Sequence, residues 1–180
     1  MKTMKNLLAI VLALFLMGCP ARSLFPLFTE KNLVFNPGLV GAWIDKDKKE
    51  TYFFQKTEGK NYIVIVCHDE DTTQYITQLG QIGKLWFLDS YPSEDPTNYQ
   101  FIPTHIISKM WLNGDTLRFA SLESDHLKKL IEKENLKISH TFLKEDVLLT
   151  ASTDELQQLV LQLAQDDRAF PNPTKLIRVK

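Results

Sequence analysis

The sequence offers two thiols for covalent chemistry, and the first of them, Cys19, stands in a distinctive context. It follows Gly18 and an apolar run from Leu7 to Met17, which itself follows Lys2 and Lys5. A basic end, a short apolar run and a small residue before a cleavage point are the parts of a secretory signal. The eleven residues of the run are too few to span a bilayer as a helix. The pattern therefore predicts that the chain is cut immediately before Cys19.

The stretch Leu16-Met17-Gly18-Cys19 resembles the lipobox that ends the export signal of bacterial lipoproteins. In that family the cysteine thiol receives a diacylglycerol, cleavage makes the cysteine the new N-terminus, and its amine is often acylated as well. The resemblance implies that residues 1–18 are a signal peptide and that Cys19 anchors the mature chain in a bacterial membrane. Pro20 follows where a retention signal would have aspartate, which favours the outer membrane facing the periplasm if the source is Gram-negative. An ordinary signal peptide or a short anchor helix is the alternative.

The second thiol, Cys67, belongs to a region that does not look like a site. It ends an apolar run, where a cysteine usually packs as a small buried hydrophobe. The following residues, His68 to Asp71, bring four possible metal ligands together. Neighbours in a strand point to opposite faces, and the glycine that bends a calcium loop is missing. We interpret this stretch as a solvated acidic turn and expect no metal site.

Motifs for catalysis or cofactor binding are also missing from the sequence. The remaining histidines, His105, His126 and His140, lie far apart, and the chain contains neither a Gly-x-Ser-x-Gly elbow nor a phosphate-binding loop. We therefore expect no cofactor and no catalytic residue. A pair of catalytic carboxylates depends on their separation in space, so a cell-envelope hydrolase stays open as an alternative function.

The charge of the chain bears on its partners. The signal segment carries two of the 21 lysine and arginine residues, so the mature chain has 19 basic against 22 acidic residues, a net charge of about −3. The two signs are interspersed without a basic stripe, which argues against a nucleic-acid partner. If Cys19 is acylated, only one thiol is left, and stability must come from a core rather than from a disulfide.

Beyond the signal, the chain divides into a short N-terminal part and one domain. Residues 19–37 contain three prolines and no clear period, which indicates a lipid-anchored tether. They are rich in leucine and phenylalanine, and we expect the apolar side chains to lie along the domain or to dip toward the bilayer. Residues 38–180 have the length of a single globular domain.

The domain is predicted to be mainly β, with two helices. Short runs of β-branched and aromatic residues alternate with turn residues and predict strands near 39–45, 50–57, 60–68, 73–80, 84–89, 103–112, 115–121, 137–142, 146–150 and 175–179. Asn113-Gly114 predicts a type I′ hairpin turn, and residues 91–100 predict a long polar loop. Amphipathic helices are expected over 124–135 and, after a Ser152 and Glu155 capping box, over 153–166.

The order of these elements is similar to that of the lipocalin-like (calycin) barrels. The resemblance rests on Gly41-Ala42-Trp43 at the first strand, the antiparallel meander, the late helix and a closing strand with Arg178. It implies an α+β fold in which the meander forms a lipocalin-like barrel or a strongly curved sheet, with the helices packed on it. In that family the tryptophan plugs the closed end and a basic residue packs over it, which gives structural roles to Gly41, Trp43 and Arg178. The helix at 124–135 departs from the family pattern.

These observations favour a noncatalytic, lipid-anchored envelope protein. A hollow barrel would bind a small apolar ligand, whereas a filled one would bind another envelope protein. An assembly factor recruited through the 91–100 loop and an envelope hydrolase are the alternatives. Six side chains are candidates for core or pocket lining: Trp86, Phe87, Phe101, Met110, Trp111 and Phe119.

Overall fold

The computed structural model describes residues 19–93, 102–144 and 146–180. The predicted signal peptide, Phe101 and most of the predicted 91–100 loop lie outside these residues. The strands are β1 (Arg22–Ser23), β2 (Gly41–Asp45), β3 (Glu50–Lys56), β4 (Tyr62–His68), β5 (Asp71–Ile82), β6 (Leu85–Pro92), β7 (His105–Asn113), β8 (Thr116–Ser121), β9 (His140–Leu143), β10 (Asp146–Leu149) and β11 (Thr174–Arg178). The helices are α1 (Ser124–Lys133) and α2 (Thr153–Leu163).

Eight of these strands close into an antiparallel barrel. The order around the barrel is β2, β3, β4, β5, β6, β7, β8 and β11, and β11 returns to pair with β2. The elements α1, β9, β10 and α2 are inserted between β8 and β11. The predicted fold class, a lipocalin-like barrel with two helices, is confirmed. The inserted α1 does not disturb the eight-stranded closure, because β11 rejoins the sheet beside β8 after the insertion.

The turns and caps show why the chain changes direction where it does. The predicted capping box of α2 is present, with the Ser152 amide donating to Glu155 Oε2 over 2.8 Å. The β7–β8 turn differs from the predicted type I′ turn. Asn113 pairs with Thr116, so the two central residues are Gly114 and Asp115, and of these only Gly114 has a positive φ. Glycine at the first central position is the requirement of a type II′ turn.

One strand, β1, was not predicted. Its two residues pair antiparallel with β7 and parallel with β10, and β10 pairs with β9, so β1, β10 and β9 form a three-stranded extension that joins the sheet at β7. A strand of two residues is too short to show the alternation of apolar and polar side chains that would predict it. The strand exists because of its partners and not because of a local pattern.

The protein has two apolar cores, one inside the barrel and one outside. The inner core fills one end of the barrel, here called the closed end, around the fully buried Trp43, Tyr62 and Leu176. The outer core lies between the helices and the outer face of β6, β7 and β8, where Leu156 and Val160 of α2 belong to the same cluster as Phe87. Both helices therefore bury the apolar faces that the sequence predicted.

Residues 19–40, which we call the N-terminal segment, are packed on this domain. Ala21, Leu27 and Phe28 belong to the outer core, and the Val34 amide donates to Leu79 across the closed end. Most apolar side chains of the segment thus lie along the domain, whereas Phe25 and Val40 are exposed. Ala21, Leu27 and Phe28 find an apolar surface on the barrel, and the division into a 19–37 tether and a 38–180 domain stays a prediction.

Candidate functional site

The end of the barrel opposite Trp43, here called the open end, contains a cavity of about 370 Å³. This volume lies within the range of about 300–1,000 Å³ that is usual for small-molecule sites. The cavity is formed by inward-facing residues of seven barrel strands and by Lys48 of the β2–β3 turn: Lys48, Glu50, Tyr52, Phe54, Val64, Val66, Thr73, Tyr75, Thr77, Leu88, Ser90, Ile106, Ser108, Phe119, Ser121 and Thr174. Side chains alternate between the two faces of a strand, so every second residue of these strands contributes.

The floor of the cavity is apolar because it is the upper surface of the inner core. Phe54, Val64 and Leu88 are at most 5% exposed and belong both to that core and to the cavity lining. Phe119 packs against them and makes an edge-on ring contact with Tyr52 at 6.1 Å. An alkyl or aromatic group entering the cavity would therefore meet a rigid apolar surface.

Above the floor lies a layer of hydroxyl groups. Thr77 Oγ1 and Ser90 Oγ are 2.9 Å apart, and Ser108 Oγ and Ser121 Oγ are 3.0 Å apart. Each pair joins residues that are directly opposite in neighbouring strands. A hydroxyl can donate one hydrogen bond and accept two, so each pair keeps capacity for a ligand.

Glu50 and Tyr52 introduce charge and polarity on the β3 side of the cavity. The Tyr52 hydroxyl donates to Glu50 Oε2 over 2.7 Å. Burial raises the pKa of Tyr52 far above its ordinary value, and the neighbouring Glu50 carboxylate raises it further. The phenol is therefore neutral at any physiological pH and holds the carboxylate in place. Lys48, which is exposed in the β2–β3 turn, adds a cation to the cavity lining.

Gly41, Trp43 and Arg178, the residues singled out by the lipocalin-like resemblance, lie together at the closed end. The guanidinium carbon of Arg178 is 4.1 Å from the Trp43 ring centroid. Its nitrogens donate to the carbonyls of Val40 and Gly38. Gly41 has a φ of +130°, and a Cβ there would come within 2.9 Å of the guanidinium. The three residues seal the closed end and take no part in the cavity.

Cys19 lies at the other end of the molecule, near the open end. It is exposed, and its carbonyl accepts a hydrogen bond of 2.9 Å from the amide of Ser124, the first residue of α1. Its acylation stays a prediction.

Two histidine–carboxylate pairs at hydrogen-bond distance were missed by the sequence analysis because their members are distant in sequence. His105 Nδ1 lies 2.8 Å from Asp89 Oδ1, and Asp89 is fully buried. Both residues face outward from the barrel, and the second oxygen of Asp89 accepts the amide of Leu27. This pair fastens the N-terminal segment and does not line the cavity. His126 similarly contacts Asp166 at 2.8 Å and links α1 to the chain after α2.

The remaining sequence candidates are spread over the surface and the cores. Cys67 is partly exposed on the outer face of β4, so the expectation that it is buried is wrong; its neighbours on that face do not cover it. Among the residues that the structure describes, no group of three or more histidine, cysteine or acidic side chains could hold a metal.

Of the six aromatic and methionine candidates, Phe119 lines the cavity, Trp86 and Met110 pack in the inner core, Phe87 packs in the outer core, and Trp111 is on the outside.

A larger depression of about 550 Å³ lies beside the end of α1, lined by Ile131, residues 135–140 and Glu155. Half of these residues are exposed and none is buried, so the depression offers little desolvation to a ligand. The barrel cavity, with its buried floor, is the better candidate site.

No protein-family model, curated protein or solved structure matches this chain. None of the helices in the described part of the chain is long and apolar enough to cross a membrane. The fold and the cavity define the class: an eight-stranded antiparallel barrel that is filled at one end and hollow at the other.

Proposed function

We propose that the chain is a lipid-anchored bacterial envelope protein whose barrel binds a small, mainly apolar ligand without chemical conversion. The observation that carries the proposal is the cavity of about 370 Å³ with a buried apolar floor. A barrel that served only as a scaffold for a protein partner would gain stability from filling this space. The lipobox at Cys19 supports the envelope location and the bilayer as a partner.

The lining also suggests which ligands the cavity would prefer. The floor favours an alkyl or aromatic group, whereas the two hydroxyl pairs and Glu50 would bind a polar group above it. Ligand sites commonly combine a mostly apolar lining with a few placed polar groups that fix orientation. The proposed ligand is therefore amphiphilic, with its apolar part innermost.

A second function, recruitment of another envelope protein, has no comparable support among the described residues. The hydrolase alternative would require a histidine and a carboxylate in hydrogen-bond contact within the cavity. The His105 and Asp89 pair has the contact but lies outside the cavity, where it holds the N-terminal segment.

Titration of the 19–180 domain with a fluorescent polyene fatty acid tests the binding proposal. At about 0.3 kcal/mol for each of roughly 20 non-hydrogen atoms, the expected Kd is on the order of 10–100 μM. The variant Val66→Trp places a large ring in the cavity and should weaken binding at least about tenfold.

The matched control is Ile65→Trp, because Ile65 directly precedes the cavity-lining Val66 in β4 and therefore lies on the opposite face of the strand. It should leave the Kd within about twofold of the parent. Thermal midpoints of both variants check that they fold. Equal weakening by the two variants, or no saturable binding by the parent, would contradict the proposal.

The anchor is tested by Cys19→Ser in cells fed a fatty-acid analogue. Serine has no thiol to accept the diacylglycerol, so the label should be lost from the protein. Cys67→Ala is the control and should keep the label. Labelling that persists in Cys19→Ser removes the lipoprotein assignment.

A further inference from the structure

We propose that the open end of the barrel faces the membrane that holds the anchor, and that the cavity takes up a single-chain membrane amphiphile directly from that bilayer. The inference rests on the proposed acylation of Cys19. It adds the orientation of the barrel, the route of entry and the source of the ligand.

The first step is that backbone hydrogen bonds hold Cys19 directly to the domain, with no flexible linker between them. The Cys19 carbonyl is held by the Ser124 amide at 2.9 Å, and the Ala21 amide donates to Leu122 at 2.7 Å. Pro20 forms a β-bridge with Glu123 between these two bonds. From its first peptide group onward, the mature chain would therefore be fixed to the end of β8 and the start of α1.

The second step is the position of this attachment. Pro20 and Glu123 line a depression of about 160 Å³ together with Phe119, Ser121 and Thr174. The last three residues also line the barrel cavity. The anchor thus leaves the domain at the rim of the open end, on the side formed by β8 and β11.

The third step compares lengths. One residue extends the chain by at most about 3.5 Å, so acyl groups on Cys19 would hold the nearby rim at the head-group level of the bilayer. The seven residues of β4 run from the closed end to the open end, and with the usual barrel tilt the barrel is roughly 18 Å tall. The closed end would consequently lie about that far from the membrane.

The fourth step is the order of polarity along the cavity. Lys48 and Glu50 belong to the open end, the hydroxyl pairs lie deeper, and the apolar floor lies deepest. An amphiphile taken up from the bilayer through the open end would bind with its tail innermost. Its tail would reach Phe54 and Leu88, and its head group would stay near Lys48 and Glu50, which offer a cation and an anion.

The test uses the acylated protein inserted in vesicles that contain a lipid with a nitroxide on its head group. In a Cys67→Ala background, a fluorophore is attached to Asp47→Cys in the β2–β3 turn or to Lys84→Cys in the β5–β6 turn. Both positions are exposed, one at each end of the barrel. We expect at least about twofold stronger quenching at position 47, because nitroxide quenching requires close approach and the two ends differ by roughly 18 Å.

A spacer variant serves as the matched control. Ten Gly/Ser residues between Cys19 and Pro20 would give the barrel about 17–19 Å of root-mean-square freedom. Quenching at position 47 should fall toward the value at position 84, and transfer of a fluorescent single-chain lipid from the same vesicles into the cavity should slow. Acylation, folding and the affinity of the cavity should be unchanged.

The outcomes separate this inference from the proposed function. Loss of acylation at Cys19 in the parent overturns the lipid anchor and this inference with it, whereas ligand binding by the cavity is tested separately by titration of the 19–180 domain. An acylated parent with equal quenching at the two positions, or stronger quenching at position 84, overturns only the orientation. If the acylated parent excludes the probe that the Cys19→Ser domain binds, the cavity holds the anchor's own acyl chain, and uptake from the bilayer is overturned. Strong quenching at position 47 together with spacer-sensitive transfer supports the inference.

Discussion

Gly80 lies directly beneath the ring of Phe28, and replacing it with alanine should loosen the N-terminal segment from the barrel. Gly80 belongs to β5, and Leu33 forms a bridge to it from the segment. A glycine inside a strand often marks such a close approach of another part of the chain. The contact bears on the proposed anchoring because the same segment carries Cys19 and covers the closed end.

The size of the effect follows from the geometry. A Cβ on residue 80 would stand 2.4, 2.6 and 2.7 Å from three ring carbons of Phe28. The ring would have to retreat by about 1 Å to restore ordinary carbon–carbon contact. Phe28 is only 4% exposed and belongs to the outer core, so it has little space to move into. Overpacking of this kind costs about 1–3 kcal/mol, which corresponds to a decrease in Tm of roughly 2–12 °C.

A double-mutant cycle measures whether the cost comes from this contact. Urea or thermal unfolding would be followed for the parent, Gly80→Ala, Phe28→Ala and the double variant. Phe28→Ala alone should cost about 3–5 kcal/mol. In the Phe28→Ala background, Gly80→Ala should change the free energy of unfolding by no more than about 0.5 kcal/mol, because the clashing ring is gone.

Gly59→Ala is the comparison for a purely conformational cost. Gly59 has a φ of +61°, and a Cβ added there would have no atom within 4 Å. Its penalty should therefore be about 1–2 kcal/mol and should add to that of Phe28→Ala. If the penalty of Gly80→Ala also simply adds to that of Phe28→Ala, the reasoning about this contact is refuted.

Three further perturbations test the closed end, the thiol and the helix contact, each by unfolding experiments. Trp43→Ala should cost about 3–5 kcal/mol and Arg178→Ala about 1–2 kcal/mol, whereas the outward Trp111→Ala should cost less than either. Cys67→Ala should cost under about 1 kcal/mol, because the thiol is partly exposed. Hydrogen bonds, first from Arg168 and then from His126, hold the pKa of Asp166 below its ordinary value of 3.8. The stability contributed by this carboxylate is therefore present above pH 3.8 and lost as the pH falls, so the deficit of Asp166→Asn should shrink below about pH 4.

The sequence predicted the elements of the barrel because its signals are local. Alternation of apolar and polar residues marks each long strand, and the Ser152 and Glu155 capping box marks the start of α2. The β7–β8 turn shows the limit of such signals. Asn113-Gly114 correctly indicated a tight turn, but the register of the two strands placed Gly114 and Asp115 at its centre.

The cavity and the attachment of Cys19 could not be predicted, since both depend on contacts between distant residues. Cys19 is held by Ser124, and Asp89 is joined to both His105 and Leu27. Nothing near any of these residues in the sequence indicates its partner. The hollow end likewise depends on which inward-facing residues of different strands lie at the same level along the barrel axis. That level is set by the stagger of the strand register in the closed barrel.

The arrangement of side chains inside the barrel argues for a site rather than for an incompletely packed core. Along the inward positions, large apolar residues fill the closed end, whereas the lining of the open end includes the small side chains of Ser90, Ser108 and Ser121, which leave the space. Burying hydroxyl pairs contributes little to stability, whereas valine or leucine at the same positions would bury more apolar area. A sequence under pressure for stability alone would fill the open end as it fills the closed one. A hollow end that is partly polar and lies next to the predicted anchor is what the proposed binding of an amphiphile at a membrane surface would require.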